Sequence, residues 1–180
     1  MASLQIIKRR IKSVKSTRQI TKAMQLVAAS KLRRAQSAAT GPQAYTAAAR
    51  QLLLDLSGQT ATVGHPLFAV RPVKRALAIF IAGDRGMAGG YNANIIRALV
   101  RQMKATPAEY SAIAVGKRAA MHVARAKDVN QIAAYDVEAG DPGADIALPV
   151  LSEAIRLFRD GQVDRVDTIT TEFVSTETQR

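Results

Sequence analysis

The residues best placed to hold a ligand are four glycines near the middle of the chain. They stand at positions 83, 86, 89 and 90, in the segment GDRGMAGGYNAN that begins at Gly83. A dinucleotide site needs the spacing G-x-G-x-x-G, so that the chain turns tightly and the backbone approaches the pyrophosphate. The observed spacing differs, and Gly116-Lys117 lacks both the earlier glycine and the following Ser or Thr of a Walker phosphate loop. The turn is therefore predicted to be structural, with left-handed backbone torsions and no bound cofactor.

Titratable side chains offer no arrangement typical of catalysis. The two histidines, His65 and His122, lack metal-ligand spacing such as H-E-x-x-H. Four acids between positions 136 and 145 surround a predicted loop, but they lack the ligand order of a calcium loop. The sequence contains no cysteine, which excludes disulfides, thiolate catalysis and cysteine-ligated metals. We therefore expect no catalytic residue and no metal site, and the chain is not predicted to be an enzyme.

Charge is concentrated at the N-terminus. Ten of the 26 Lys and Arg residues lie within residues 1–36, and the first acid is Asp55. The whole chain has a net charge of +12. Such a basic arm is expected to bind an anionic surface, which could be nucleic acid, acidic lipid or an acidic protein groove. Nucleic-acid binding is the alternative function, although the interleaved aromatic side chains of a single-strand binder are missing.

The basic residues lie on a predicted helix. Residues 3–39 contain no Gly or Pro and are rich in good helix formers, which predicts one long helix. Gly41-Pro42 should break it before a second helix over residues 43–57. The first apolar side chains step by three and four residues, as in a coiled coil, and are Leu4, Ile7, Ile11 and Val14. Beyond them the stripe is displaced, so we expect the helix to meet different surroundings further along.

The pattern changes to alternating strands and helices after residue 72. Strands are predicted over residues 73–81, 110–115, 129–135 and 163–174. Helices are predicted over residues 92–104, 117–126 and 145–159, with a loop over 140–143. In the first of these helices, Ile95, Ile96, Leu99, Val100 and Met103 should face inward. The alternation predicts an α/β fold, with a long coiled-coil-type helix followed by a Rossmann-like parallel sheet that carries helices on its faces.

Several segments resemble one known family, the gamma subunits of F-type ATP synthases. The family's N-terminal helix is similar to IKSVKSTRQITKAMQLVAASKLRRAQ, which begins at Ile11. Its glycine-rich motif is similar to IAGDRGMAGGYNANI, which begins at Ile81. HPLF from His65 and the C-terminal stretch from Gly161 fit as well. The resemblance implies a shaft of two antiparallel helices above an α/β foot domain, with the C-terminal shaft helix expected beyond Arg180.

The resemblance implies a domain organisation and a role. Residues 1–58 would be the N-terminal half of the shaft, 59–72 a connector, and 73–180 an incomplete foot domain. A gamma subunit catalyses nothing; it rotates within a ring of alpha and beta subunits and couples hydrogen ion transport to ATP synthesis. The implied partners are the alpha and beta subunits, an epsilon-type subunit and the membrane c-ring, with no nucleic acid. The implied location is the cytoplasmic face of the inner membrane, as a peripheral subunit without a span that is soluble when isolated.

The resemblance also assigns partner-binding residues and no catalytic ones. Those on the helix are Thr21, Lys22, Met24, Arg33 and Arg34. Those in the glycine-rich motif are Arg85, Gly86, Gly89 and Gly90. The shaft seam of Leu4, Ile7, Ile11 and Val14 would pack against the C-terminal helix of the family. For Met24, packing along the seam is an equal alternative to contact with a partner.

Overall fold

A computed structural model describes residues 2–57, 64–137 and 144–175 of the chain. Contacts divide the chain into two units, Met1–Gln51 and Leu52–Arg180. The predicted bounds of the arm, the connector and the foot domain stay predictions. None of the helices in the described ranges has the length and apolarity needed to cross a bilayer.

The first unit is helical. Helix α1 spans Ala2–Thr40, about 60 Å at 1.5 Å per residue, and α2 spans Gln43–Ser57 and continues into the second unit. The predicted break at Gly41-Pro42 is confirmed, because the two residues form the turn between the helices. The Gly41 N–H still donates to the Ser37 carbonyl at 2.9 Å, whereas Pro42 has no N–H to continue the ladder.

The second unit contains a four-stranded parallel sheet. Its strands are β1 (Arg75–Ile81), β2 (Glu109–Val115), β3 (Val129–Tyr135) and β4 (Arg165–Ile169). Its helices are α3 (Tyr91–Ala105), α4 (Lys117–Val123) and α5 (Ala144–Arg159). The strands lie in the order β3-β2-β1-β4, and all three pairings are parallel. The predicted α/β fold, with a long N-terminal helix before a parallel sheet, is confirmed.

The core lies on both faces of the sheet because successive side chains of a strand point in opposite directions. Ala76, Ala78 and Phe80 of β1 pack in the cluster that includes residues of α3 and α4. Leu77 and Ile79 pack in the cluster with residues of α5. Burying each large apolar side chain contributes about 1.5–3 kcal/mol, so the two layers hold the helices against the sheet.

Three predicted details are wrong. Val100 is 40% exposed, because α3 rests on the sheet through Ile95 and Leu99 and turns Val100 outward. Strand β4 ends at Ile169 rather than at residue 174, because its pairing with β1 ends there. Helix α4 ends at Val123 rather than at residue 126, because three-residue hydrogen bonds from the N–H groups of Arg125 and Ala126 there tighten the chain beside the remaining helical ones. The predicted loop over 140–143 lies outside the described residues.

Asp164 joins the start of β4 to the start of β1. Its Oδ2 accepts hydrogen bonds from the backbone N–H groups of Arg75 at 2.9 Å and Lys74 at 3.0 Å. Its own N–H donates to the Arg75 carbonyl at 2.8 Å. These two backbone donors, and to a smaller extent the charges of Arg75 and Arg71, lower the pKa of Asp164 below its ordinary value of 3.8.

We expect Asp164→Ala to lower the melting temperature at neutral pH, because two backbone N–H groups lose their acceptor. The folded-state pKa is depressed, so this stabilisation is present above about pH 5 and is lost as the pH falls through the folded pKa. The difference in melting temperature between variant and wild type should therefore shrink below about pH 4 in calorimetry. Asp128→Ala, at an exposed position, is the control. A difference for Asp164→Ala that stays constant under acid would contradict this role.

Candidate partner-binding surfaces

The apolar stripes of α1 are open to solvent. The seam residues Leu4, Ile7, Ile11 and Val14 are 51 to 67% exposed. Because they are three or four residues apart, they lie on one face of the helix. Ile20, Met24 and Val27 of the displaced stripe are exposed as well. Soluble surfaces rarely keep so many apolar side chains in a row, so this helix has the character of an interaction surface.

The cations of α1 share this exposure. Lys22, Arg33 and Arg34 are exposed, and none of the ten cations of the helix forms an ion pair with another described residue. Their charges are therefore available to an anionic partner. Thr21 differs, since its hydroxyl already donates to backbone carbonyls of the preceding turn at 3.0 Å. A partner would therefore contact the methyl group of Thr21 or donate a hydrogen bond to its hydroxyl oxygen.

The glycine-rich loop between β1 and α3 has a fixed base. The N–H of Gly83 donates to the Oδ1 of Asn92 at 3.0 Å, and its carbonyl accepts from the N–H of Arg118 at 3.1 Å. The Oδ1 of Asp84 accepts from the N–H of Lys117 at 3.0 Å. The loop is thus bonded to both flanking helices, α3 and α4.

Gly116 allows the backbone after β2 to approach the end of β1 closely. Its φ is +94°, and a Cβ at this position would overlap the Ala82 carbonyl oxygen at the end of β1. Its N–H donates to the Tyr135 carbonyl at the end of β3 at 2.8 Å. Only glycine permits so close an approach with this torsion, so the carboxyl ends of three strands meet at one residue.

The tip of the loop contains the predicted partner-binding residues. Arg85, Gly86, Gly89 and Gly90 are all exposed there. The predicted left-handed torsion occurs at Gly89, with φ +55°, and a side chain at this position would meet nothing within 4 Å. Gly90 has an ordinary helical torsion and precedes α3 as its N-cap. These four residues are close in sequence and lie on one short exposed segment.

Tyr91 lies where an α/β sheet would bind a ligand. The strand order reverses between β1 and β4, and ligands of such folds bind at the carboxyl ends of the strands at this point. Tyr91 begins α3 just after the loop, and its half-buried side chain lies near Thr171, which follows β4. Burial raises the pKa of Tyr91, and the nearby Thr171 side chain partly opposes this rise. Tyr91 and Thr171 thus lie on the two sides of the switch point.

The histidines have local structural contacts. The Nδ1 of His65 accepts the N–H of Leu67 at 3.3 Å at the start of a short 3-10 helix, Pro66–Phe68. The ring of His122 lies 6.1 Å from that of Phe80, centroid to centroid. Within the described ranges, no three metal-ligating side chains of His, Cys, Asp or Glu come together.

Sequence reasoning missed Asp84, Asn92, Gly116 and Met87. Asp84 and Asn92 flank the loop and could have been suspected from their positions just after a strand and just inside a helix. The close approach of Gly116 to the Ala82 carbonyl joins positions 34 residues apart, so the sequence around Gly116 gives no indication of it. Met87 is fully exposed in the glycine-rich loop. Loops have no periodic pattern of apolar residues, so its exposure could not be predicted from the sequence.

Comparison with known proteins gives a consistent result. The family described as ATP synthase matches residues 3–180. The ATP synthase gamma chain of Thermosynechococcus vestitus is 40% identical over 97% of this chain and 57% of its own length. The gamma chains of Desulfitobacterium hafniense and Heliobacterium modesticaldum are 38% and 39% identical over 100% of this chain and 64% and 61% of their own lengths. The chain therefore spans about three fifths of these curated relatives.

The agreement runs along the whole chain and includes both exposed surfaces, the basic helix and the glycine-rich loop. On this evidence, the chain belongs to the ATP synthase family and is a relative of its gamma chains.

Proposed function

We propose that the chain serves as the central rotor stalk of a proton-translocating F-type ATP synthase. The observation that carries the proposal is the match of nearly the full chain to proteins named ATP synthase gamma chain. In this role the chain performs no bond chemistry. It transmits rotation to the nucleotide sites of an alpha/beta ring, and changes at those sites synthesise ATP.

Helix α1 suits such a role physically. A rotating shaft must be asymmetric and must interact with the ring without being held in one position. Its ten cations, with no acid before Asp55, attract acidic surfaces over a distance that depends on the ionic strength. Such electrostatic complementarity increases the association rate and fixes the relative position of two partners more than it increases their affinity. Thr21, Lys22, Met24, Arg33 and Arg34 would contact the ring along the shaft.

The glycine-rich loop would form a second contact with the ring through Arg85, Gly86, Gly89 and Gly90. Its base is held by hydrogen bonds, so binding would not have to order that part of the loop. Residues 1–58 would act as the arm, 59–72 as the connector and 73–180 as the foot domain. An epsilon-type subunit and the membrane c-ring would be further partners, and the location would be peripheral, on the cytoplasmic face of the membrane.

Reversal of the charges of Arg33 and Arg34 tests the shaft contact. In Arg33→Glu/Arg34→Glu, we expect the dissociation constant for a purified alpha/beta ring to rise about tenfold at low salt, because two attractions become repulsions. The loss should shrink as salt screens the charges. Binding can be measured by analytical ultracentrifugation across a salt series.

The matched control is Arg101→Glu/Lys104→Glu, which makes the same charge change at exposed positions of α3. It should leave binding to the ring within about twofold of wild type. Equal losses in both variants would show that only net charge matters and would contradict the assignment of Arg33 and Arg34. A wild-type chain that fails to bind the ring at any salt concentration would contradict the proposed function itself.

A further inference from the structure

Met87 has a backbone conformation that its side chain disfavours. Its φ is +60°, and it is the one non-glycine residue with a positive φ among those the structure describes. Cβ atoms make this left-handed region costly for L-residues, and only Gly, Asn and Asp adopt it readily. Gly86, Gly89 and Gly90 lie on either side of it, so the strain falls on the one large apolar side chain of the loop tip.

The same side chain is fully exposed to solvent. The other methionines of the described ranges are less exposed, at Met24, Met103 and Met121. A glycine at position 87 would remove both the strained torsion and the exposed apolar surface. Neither feature therefore helps the chain to fold, and a backbone outlier of this kind is typical of a functional position.

The surroundings of Met87 fit it for binding. The hydrogen bonds of Gly83 and Asp84 hold the base of the loop, so the tip projects from a supported base. Methionine is long, unbranched and polarisable, and it adapts to irregular apolar pockets. Because the base of the loop is already hydrogen-bonded, binding would have to order the side chain of Met87 but not the residues at the base.

The charges beside the tip indicate the rim of that pocket. Arg85 is exposed, and the Nη2 of Arg118 lies so near Gly86 that a Cβ there would stand 2.8 Å from it. Among the nearby carboxylates, Asp84 is bonded to the N–H of Lys117, and Asp136 lies 4.0 Å from the Lys117 Nζ. Neither pairs with Arg85 or Arg118, whose guanidinium groups therefore stay available for a carboxylate on a partner.

We propose that Met87 is the anchor of the loop contact: its side chain inserts into an apolar pocket of the alpha/beta ring, and carboxylates at the pocket rim pair with Arg85 and Arg118. This inference rests on the proposed function and adds to it the residue that carries the contact. Buried apolar anchors surrounded by polar contacts are typical of the residues that dominate interface affinity.

The distinguishing experiment uses a variant that should move stability and binding in opposite directions. In Met87→Gly, we expect the melting temperature of the free chain to rise by about 1–2 °C, because the strain that is relieved exceeds the entropy that glycine adds to the unfolded chain. We expect the dissociation constant for the purified alpha/beta ring to rise about tenfold, because the anchor is lost. A residue that only supported the fold would change both in the same sense.

Two further variants complete the test. Met87→Leu retains an apolar side chain and should bind within about threefold of wild type, whereas Met121→Ala removes a methionine elsewhere and should bind as wild type does. If wild type binds the ring and Met87→Gly binds equally well, Met87 is not the anchor, and the proposed function stands. If Met87→Gly lowers the melting temperature, the strain argument is wrong. If wild type does not bind the ring, the proposed function and the anchor both fail.

Discussion

Gly116→Ala is expected to destabilise the α/β unit by about 3 kcal/mol. The new Cβ would overlap the carbonyl oxygen of Ala82, and the φ of +94° is unfavourable for any residue with a Cβ. Ala82 cannot move aside freely, because its N–H donates to the Val115 carbonyl at 3.0 Å, one residue beyond the parallel pairing of β1 and β2. Urea denaturation followed by circular dichroism measures the loss of stability.

Gly89→Ala is the matched control for this substitution. Gly89 also has a positive φ, of +55°, but a Cβ there would meet no atom within 4 Å. The control should lose only about 1 kcal/mol, which is the cost of the torsion without the overlap. If both variants lose equal stability, the close approach of Gly116 to Ala82 does not limit the fold.

The order of the strands and helices could be predicted because each element carries its own pattern. The run Ala76–Ile81 is apolar without interruption, as expected of a strand covered on both faces, and the structure buries nearly all of it. The long helix follows from the absence of Gly and Pro, and its end follows from Gly41-Pro42. Local composition decides such features, so no partner is needed to predict them.

Element ends and side-chain exposure depended on contacts that are distant in sequence. Strand β4 stops at Ile169 because its only described sheet neighbour is β1, and their pairing ends there. Val100 is turned outward because the sheet covers only one side of α3. Periodicity predicted the apolar positions of this helix, but it could not define how wide a face the sheet would cover.

The positions of the candidate surfaces along the chain could be predicted from the sequence, but their backbone conformation and neighbouring side chains could not. Arg85 and Gly86–Gly90 form a continuous segment, so a sequence motif brings them together without tertiary information. The strained torsion of Met87 and the position of Arg118 beside Gly86 both depend on how α4 meets the loop. The sequence contained no signal for either feature, and both carry the inference about the anchor.

The exposed seam gives the second large expected effect. We expect α1 of the free chain to fray in dilute, low-salt solution, where its ten cations repel one another, and to gain helix when a peptide of the C-terminal helix of a gamma-chain relative is added. In Ile7→Asp/Ile11→Asp, affinity for this peptide should fall more than about a hundredfold. Each lost isoleucine contact is worth about 1.5–3 kcal/mol, and a buried carboxylate adds a desolvation cost. Circular dichroism during a peptide titration and calorimetry measure both effects.

Ser13→Asp/Ser16→Asp is the control, because it makes the same charge change at exposed positions on the opposite side of the helix. If the seam residues pack against the peptide, this control should bind nearly as wild type does, since its carboxylates stay in water. If both double variants lose affinity equally, charge alone explains the effect, and Leu4, Ile7, Ile11 and Val14 are not a shaft seam. Full helicity of the free chain that the peptide leaves unchanged would contradict the seam as well, because the apolar stripe would then need no partner to order the helix.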